Sequence, residues 1–266
     1  MKNRIYLFII CAFLSFGFCE AQILIGPAIG GQISWVNLEQ KEHKSFYRVK
    51  PSWGFHAGLG LSFRVRKRFF LTSSFLYSTK GKVVEGIADK LLRHEVVYKF
   101  IDVPIIYSVD FKGKIGANNE FKYFLGIGPN LSYWLGGKGT LYNTDFHENQ
   151  FPEMEFTTAF GKDENEIDEN EMGVKDPNRM QLGLNLAAGV VLEPVPFQKF
   201  MFVIRYEFGH SYFSTEGDGH FQNTTYQDDL RSRSQGFRFS LFYMVDIRTE
   251  ERKKGKSTIR HERRSR

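Results

Sequence analysis

Charged side chains recur inside otherwise apolar segments of this sequence, and they are the residues best placed to do chemistry. Each alternates with apolar residues, and alternate residues of a β-strand point to one face. The charged residues of that face are Arg64, Lys80, Asp102, Lys122, Arg205, Glu207, Arg238 and Asp246. Because an unpaired ion is very costly in an interior of low dielectric constant, opposite charges on one inner wall must pair. We therefore predict a salt-bridged polar network, with a gated ion path as the functional alternative.

A histidine and a serine raise the separate possibility of lipid hydrolysis. His210 and Ser211 are adjacent, with Glu207 close by. Neighbouring strand residues point to opposite faces, however, so the pair could meet one substrate only at a bulge. His56 would face the lumen from a different strand. We therefore predict an interfacial histidine and a lumen serine, and no catalytic site.

An acidic run, Asp163–Glu171, contains six carboxylates in nine residues. Carboxylate oxygens are the ligands that calcium prefers. The spacing does not match the calcium-loop pattern, because Ile167 takes a ligand position and the turn glycine is missing. We therefore predict a solvated, flexible acidic loop that could contact a basic partner, and no metal or cofactor site.

Period-two alternation defines eight candidate strands. The clearest is Trp53–Val65, whose apolar residues would face one side and whose His56, Gly58, Gly60 and Arg64 would face the other. The predicted strands are Ile23–Val36, Trp53–Val65, Phe69–Lys80, Val96–Phe111, Phe121–Leu135, Met180–Glu193, Phe200–Tyr212 and Gly236–Ile247. Eight strands of this kind predict a sandwich or a barrel.

The composition of the polar face favours a membrane barrel over a soluble barrel or sandwich. That face is mainly Gly, Ser and Asn with occasional charges, and small residues suit the crowded lumen of a narrow barrel. The candidate strands also exceed the roughly five or six residues typical of soluble sheets. No later segment approaches the roughly 18 apolar residues of a membrane helix. The sequence therefore predicts an all-β, eight-stranded antiparallel up-and-down transmembrane β-barrel.

The connections and the termini predict an orientation. Connections near 66–68, 112–120 and 194–198 are short, whereas those near 38–51, 82–95, 137–179 and 213–235 are long. In outer-membrane barrels short turns are periplasmic and long loops are extracellular, so both termini would be periplasmic.

Residues 1–21 resemble a secretory signal, with Lys2 and Arg4 before an apolar run that ends near a small residue, Ala21. Lipoprotein processing at Cys19 is the alternative. Cleavage after Ala21 would remove both cysteines of the chain, which excludes disulfides and cysteine metal sites from residues 22–248, the predicted barrel.

The carboxy-terminal segment 249–266 is strongly basic. It holds eight Lys or Arg and three Glu, a net charge of +5 out of +6 for the whole chain. With few apolar residues it is expected to be a disordered periplasmic tail. Because export removes nucleic acid as a partner, periplasmic proteins, peptidoglycan carboxylates or lipid phosphates are the available anionic partners; a solvated end is the alternative.

Three segments resemble the PorT-type outer-membrane β-barrel family of Bacteroidetes-like bacteria. They are Tyr98–Tyr107 (YKFIDVPIIY), Tyr123–Ser132 (YFLGIGPNLS) and Arg205–Gly209 (RYEFG), and the resemblance extends over residues 22–248. It implies an integral outer-membrane barrel, and the founding member's association implies a link to type IX secretion.

Taken together, the sequence predicts a non-enzymatic scaffold or subunit of an envelope complex in the outer membrane. Its partners would be outer-membrane lipid and envelope proteins, contacted through the long loops or the basic tail. A small channel or transporter is the first alternative, and a lipid-modifying enzyme is the second.

Overall fold

The computed structural model describes residues 23–115, 119–162, 166–195, 197–215 and 217–247. The predicted signal segment 1–21 and the predicted basic tail 249–266 lie outside the described residues. Eleven strands and two short helices occur within these ranges: β1 Ile23–Leu38, α1 Lys41–Phe46, β2 Tyr47–Lys50, β3 Ser52–Arg66, β4 Phe69–Gly86, β5 Arg93–Ile115, β6 Asn119–Tyr142, α2 Thr144–Glu148, β7 Met154–Phe160, β8 Glu171–Val174, β9 Met180–Val195, β10 Gln198–Gly209 and β11 Ser232–Asp246.

Eight of the described strands close into a ring. Each pairs antiparallel with its neighbours in the order β1, β3, β4, β5, β6, β9, β10, β11. β1 then pairs with β11, from Leu24 opposite Asp246 to Leu38 opposite Ser232. Because consecutive ring strands are neighbours throughout, the prediction of an eight-stranded up-and-down barrel is confirmed.

The ring presents an apolar outer face, as the alternation predicts. On β3, Trp53 is 74% exposed and Leu59 is 59% exposed, whereas His56 between them is fully buried in the lumen. Aromatic rings mark both ends of this belt. Trp35 packs on Phe237 near the long connections, and Phe111 stacks on Tyr123 near the short turns, with ring centroids 5.2 Å apart. An outward apolar band between aromatic girdles is typical of outer-membrane barrels.

The long connections are structured rather than open loops. β5 and β6 run beyond the predicted ends, and β2 and β7 pair with β4 and β6 to extend the wall. Inward side chains of these strands and of the long connections form an aromatic-rich core at the long-connection end, called here the mouth core. Its residues are Val36, Leu38, Leu92, Val96, Tyr98, Phe100, Trp134, Leu141, Phe146, Met154, Phe156, Met172, Val174, Phe213, Phe221 and Leu230. The mouth core holds the connections over the barrel opening.

The described part of the acidic run differs from the flexible loop that the sequence predicts. Ile167 is buried against Gly173, and Glu171 opens β8. Glu171 also pairs with Lys162, with Nζ and Oε2 2.5 Å apart. Burial of Ile167 helps to order the described part of this segment, since removing it from water offsets part of the entropic cost of fixing the backbone.

The helices of this fold are short. Among the described residues, no helix is long and apolar enough to cross a membrane.

Candidate functional site: the barrel lumen

Four charged side chains cross the lumen midway along the barrel. Lys80 on β4, Asp102 on β5, Glu207 on β10 and Arg238 on β11 form what is called here the central ion layer. Lys80 Nζ lies 2.6 Å from Glu207 Oε1 and 3.3 Å from Asp102 Oδ1. Arg238 Nη2 lies 2.5 Å from Asp102 Oδ2 and 2.6 Å from Glu207 Oε2. Each cation therefore contacts both carboxylates, and the layer ties opposite sides of the ring together.

Neutral side chains add hydrogen bonds to the two carboxylates of this layer, whereas Arg238 Nη1 is buried without a hydrogen bond among the described residues. Ser78 and Ser132 both donate hydrogen bonds to Asp102, and Asn130 Nδ2 donates to Glu207 Oε1 at 3.1 Å. Lys80 Nζ also lies 4.6 Å from the ring centroid of Phe100. Because a buried ion pair gains stability when its remaining donors and acceptors are satisfied, these contacts help to accommodate four charges in the lumen.

The strand register explains why these residues meet. Asp102 is opposite Leu76 in the β4–β5 pairing. On the inner face of β4, Leu76 is followed toward the long connections by Ser78 and then by Lys80. Arg205 is opposite Arg238 in the β10–β11 pairing, which places Glu207 one inward position above. The stagger of a tilted barrel therefore brings residues from four strands to one level.

The other four predicted lumen charges lie elsewhere or pair differently. Arg205 is in the same region, and its Nη2 donates to Ser240 Oγ at 3.4 Å. Arg64 lies near the short turns, 5.2 Å from the ring centroid of Phe70. Lys122 pairs with Glu193 at 2.6 Å in a partly exposed contact, and Asp246 lies opposite Leu24 near the end of β11.

The lumen between the central ion layer and the short turns contains an apolar cluster, which the sequence interpretation missed. Its residues, called here the lower apolar core, are Leu24, Ala28, Leu76, Ile106, Phe124, Ala187, Val191, Met201, Val203, Phe242 and Met244. The signal for them is a loss of alternation. Consecutive apolar residues in Ile105–Tyr107, Tyr123–Leu125 and Met201–Ile204 put apolar side chains on both faces.

A buried cluster closes the long-connection end and ties residues 210–231 to the barrel. Lys82 Nζ lies 2.8 Å from Asp228 Oδ1 and donates to the Asp229 carbonyl oxygen at 2.6 Å. His94 Nδ1 lies 3.5 Å from Asp228 Oδ1, and the hydroxyl of Tyr98 donates to Oδ2 at 3.4 Å. Sequence reasoning missed this cluster because Asp228 lies in a connection, where alternation carries no information.

The histidine and serine considered for hydrolysis do not form a shared site among the described residues. The backbone amides of His210 and Ser211 both donate to the Leu182 carbonyl oxygen. Ser211 Oγ accepts a hydrogen bond from the Leu182 amide at 2.9 Å. His210 is exposed, whereas Glu207, the nearby carboxylate, is bound to Lys80 in the central ion layer. The hydroxyl therefore caps a strand end in this arrangement.

Small cavities lie along the described part of the lumen. Cavities of about 10 and about 20 Å³ lie beside the central ion layer and within the lower apolar core. A space of roughly 10–15 Å³ is needed for a single water molecule. Each cavity can therefore hold about one water molecule or a particle of similar size. The ion pairs beside these cavities join strands of the barrel wall.

A known family model describes the same architecture. The model for the outer membrane protein beta-barrel domain matches residues 20–211. The chain belongs to this family. The outer membrane is accordingly its location. The model describes the domain in general, so the PorT-type resemblance stays a prediction.

Solved outer-membrane proteins show a distant likeness. Neisserial surface protein A is 12% identical, with 86% of this chain and 98% of that chain covered and a TM-score of 0.34. The attachment invasion locus protein Ail of Yersinia pestis is 12% identical, with coverage of 84% and 98% and a TM-score of 0.33. OprG from Pseudomonas aeruginosa is 12% identical, with coverage of 85% and 94% and a TM-score of 0.43. Likeness at this level does not bear on what this chain does. No curated protein matches the chain.

Removing one cation from the central ion layer should destabilise the barrel strongly. Arg238→Met leaves Asp102 and Glu207 buried with one partner fewer, so we expect the free energy of unfolding to fall by about 3–5 kcal/mol. The matched control is Lys122→Met, which breaks a partly exposed pair and should cost about 1 kcal/mol or less. Urea unfolding of the refolded barrel in lipid measures both. Equal losses of unfolding free energy in the two variants would contradict the stabilising role of the central ion layer.

Acid should loosen the connection 210–231. At the level of His94 the outer face of the barrel carries the polar side chains of Glu85, Arg93 and Glu95. The buried cluster of Lys82, His94 and Asp228 therefore lies beyond the apolar belt. Burial lowers the pKa of His94 from 6.5 to about 4; Lys82 acts in the same direction, while Asp228 and Glu95 oppose it. An opened connection would let His94 titrate near its ordinary value.

The sign of this effect is set by the lowered pKa. The closed connection is fully stabilised above about pH 6.5 and loses up to about 3 kcal/mol as the pH falls toward 4. We therefore expect proteolysis within 210–231 to accelerate over this window, as followed by mass spectrometry. His94→Phe, which can still stack on Phe156, should remove the dependence. An unchanged pH dependence in that variant would rule out His94 as the titrating group.

Proposed function

We propose that this protein is a closed, non-enzymatic scaffold of the outer membrane that holds its long connections as a rigid platform. One observation carries the proposal: side chains fill the lumen from the short turns to the mouth. The lower apolar core, the central ion layer and the mouth core follow one another along the barrel axis. In a barrel filled in this way, the interior side chains chiefly support the connections at its ends.

The platform is the natural working surface of such a scaffold. We place the long connections outside the cell and both termini in the periplasm, which is the usual arrangement of short turns and long loops in outer-membrane barrels. The packing of Phe146, Phe156 and Phe213 in the mouth core supports the proposal, because a rigid platform loses little entropy when a partner binds.

The proposed partners are envelope proteins. They would meet the long connections outside, or the basic segment 249–266 on the periplasmic side, while lipid surrounds the apolar belt. The PorT-type resemblance makes a secretion assembly the first complex in which to look for the chain. A small channel is the competing function, since charged side chains line the middle of the lumen.

Conductance separates the closed scaffold from the channel. We expect the purified full-length protein, reconstituted in planar bilayers, to give no steady single-channel steps, because the central ion layer and the two apolar cores occupy the lumen. A general porin reconstituted in the same bilayers is the control for insertion and sensitivity. Reproducible steps of one size from the folded protein, lost on heat denaturation, would contradict the proposal and favour the channel.

A further inference from the structure

The buried charges around the central ion layer do not balance. Lys80, Arg205 and Arg238 are cations and Asp102 and Glu207 are anions, and each of the five is at most 5% exposed. Both carboxylates are already shared between Lys80 and Arg238. With His56 counted as neutral, one positive charge is left over, and it belongs to Arg205.

Arg205 makes no ion pair within 4.0 Å among the described residues; Glu207 and Asp102 attract it only from beyond that distance, and Arg238 repels it. Its single hydrogen bond is the contact of 3.4 Å to Ser240 Oγ, which also bonds His56 Nε2 at 2.8 Å. Its Nε is buried and makes no hydrogen bond, and no described carboxylate oxygen lies within 4.0 Å. A guanidinium does not lose its proton in a protein, so burial cannot be relieved by neutralisation. An anion from solution is the remaining way to balance the charge.

A cavity of about 20 Å³ lies beside Arg205. It is lined by Arg205, the hydroxyl-bearing residues Thr72, Ser74 and Ser108, and the apolar residues Ile106, Phe124, Ala187, Met201, Val203 and Phe242. The space suits one particle slightly larger than a water molecule. The lining combines one charged group and three hydroxyls with six apolar side chains, which fits an ion that tolerates weak hydration.

We propose that this cavity binds a single chloride ion, with Arg205 as its counter-charge. Chloride is monovalent and spherical, and it is small enough for the cavity, whereas sulfate and phosphate are too large and carry more charge than one guanidinium balances. A bound water would fill the space but would leave the charge of Arg205 unpaired, which is costly in this interior. The ion therefore acts as a structural part of the lumen.

The space beside Arg205 continues toward the short-turn end. A second cavity of about 20 Å³ adjoins the first through Thr72, Ser108 and Phe124, and it is lined by Lys199 and Asp110. Arg64 and Lys199 lie 5.2 and 5.7 Å from the ring centroid of Phe70 at this end. An anion entering here would meet Arg64 and Lys199 together with two carboxylates, Asp110 and Glu193, and Glu193 Oε1 lies 2.9 Å from Lys199 Nζ.

Halide dependence of stability tests the proposal. The full-length barrel is unfolded with urea in lipid, at constant ionic strength, with sodium gluconate exchanged stepwise for sodium chloride. Because a ligand that binds only the folded state stabilises it by mass action, the folded-to-unfolded ratio should rise about tenfold for each tenfold rise in chloride above the dissociation constant. Identical curves in gluconate and chloride would mean that the cavity holds only water, and would overturn the proposal.

Arg205→Met is the matched variant, since it keeps the length of the side chain and removes the charge. It should lose the chloride response and be at least as stable as the unmodified protein in gluconate. Arg48→Met, an exposed arginine on β2, should keep the full response. A response that survives in Arg205→Met would also overturn the proposal.

A second measurement does not depend on how the variant folds. Crystals of the unmodified protein grown with sodium bromide should show an anomalous scattering peak in the cavity beside Arg205. Bromide peaks confined to the protein surface, with none in this cavity, would contradict the site.

Discussion

The paired charges of the central ion layer are the constraint on which the rest of this barrel depends. Lys80 and Arg238 each bridge Asp102 and Glu207, so four strands on different sides of the ring are joined through one network. A network of this kind is stable only if every member keeps its partners, because a single unpaired charge in the lumen is far more costly than an apolar residue there. The position of the strands is thus fixed from within the lumen as well as by the backbone ladder.

The two ends of the lumen follow from this layer. Below it, Phe124 and Phe242 help to fill the narrow ring with apolar side chains, which keeps water from the ion pairs and strengthens them. Above it, Tyr98, Trp134 and Phe213 pack together in the mouth core. The buried contact between Lys82 and Asp228 then holds the last long connection over the opening. The result is a solid barrel with an ordered surface at one end.

Much of this fold could be predicted from the sequence, because a strand with lipid on one side must alternate. Residues 53–65 illustrate this: their apolar and small residues occupy the outer and inner faces that the period of two assigns to them. The presence of an ion-paired layer could be predicted for the same reason, since charges on the inner face must pair. The identity of the pairs could not be predicted, because the stagger of strands far apart in sequence brings Lys80 and Glu207 together.

Other parts left no usable pattern. The lower apolar core interrupts the alternation. The sequence alone therefore does not assign residues such as Phe124 and Met201 to the lumen face, although their side chains lie in the lumen. The connection that carries Asp228 has no period at all, and its position depends on a long-range ion pair with Lys82. Ile167 shows a third case, because it is buried although it stands alone among acidic and amide residues, where no alternation marks it.

The central claim is that the ion layer acts as one coupled unit, and a double-mutant cycle between Lys80 and Glu207 tests it most directly. Lys80→Met, Glu207→Gln and the double variant are unfolded with urea in lipid. If the layer is coupled, each single change costs about 3–5 kcal/mol, and the double change costs less than the sum by about 1–3 kcal/mol. Additive costs, with no coupling between the two positions, would contradict the account.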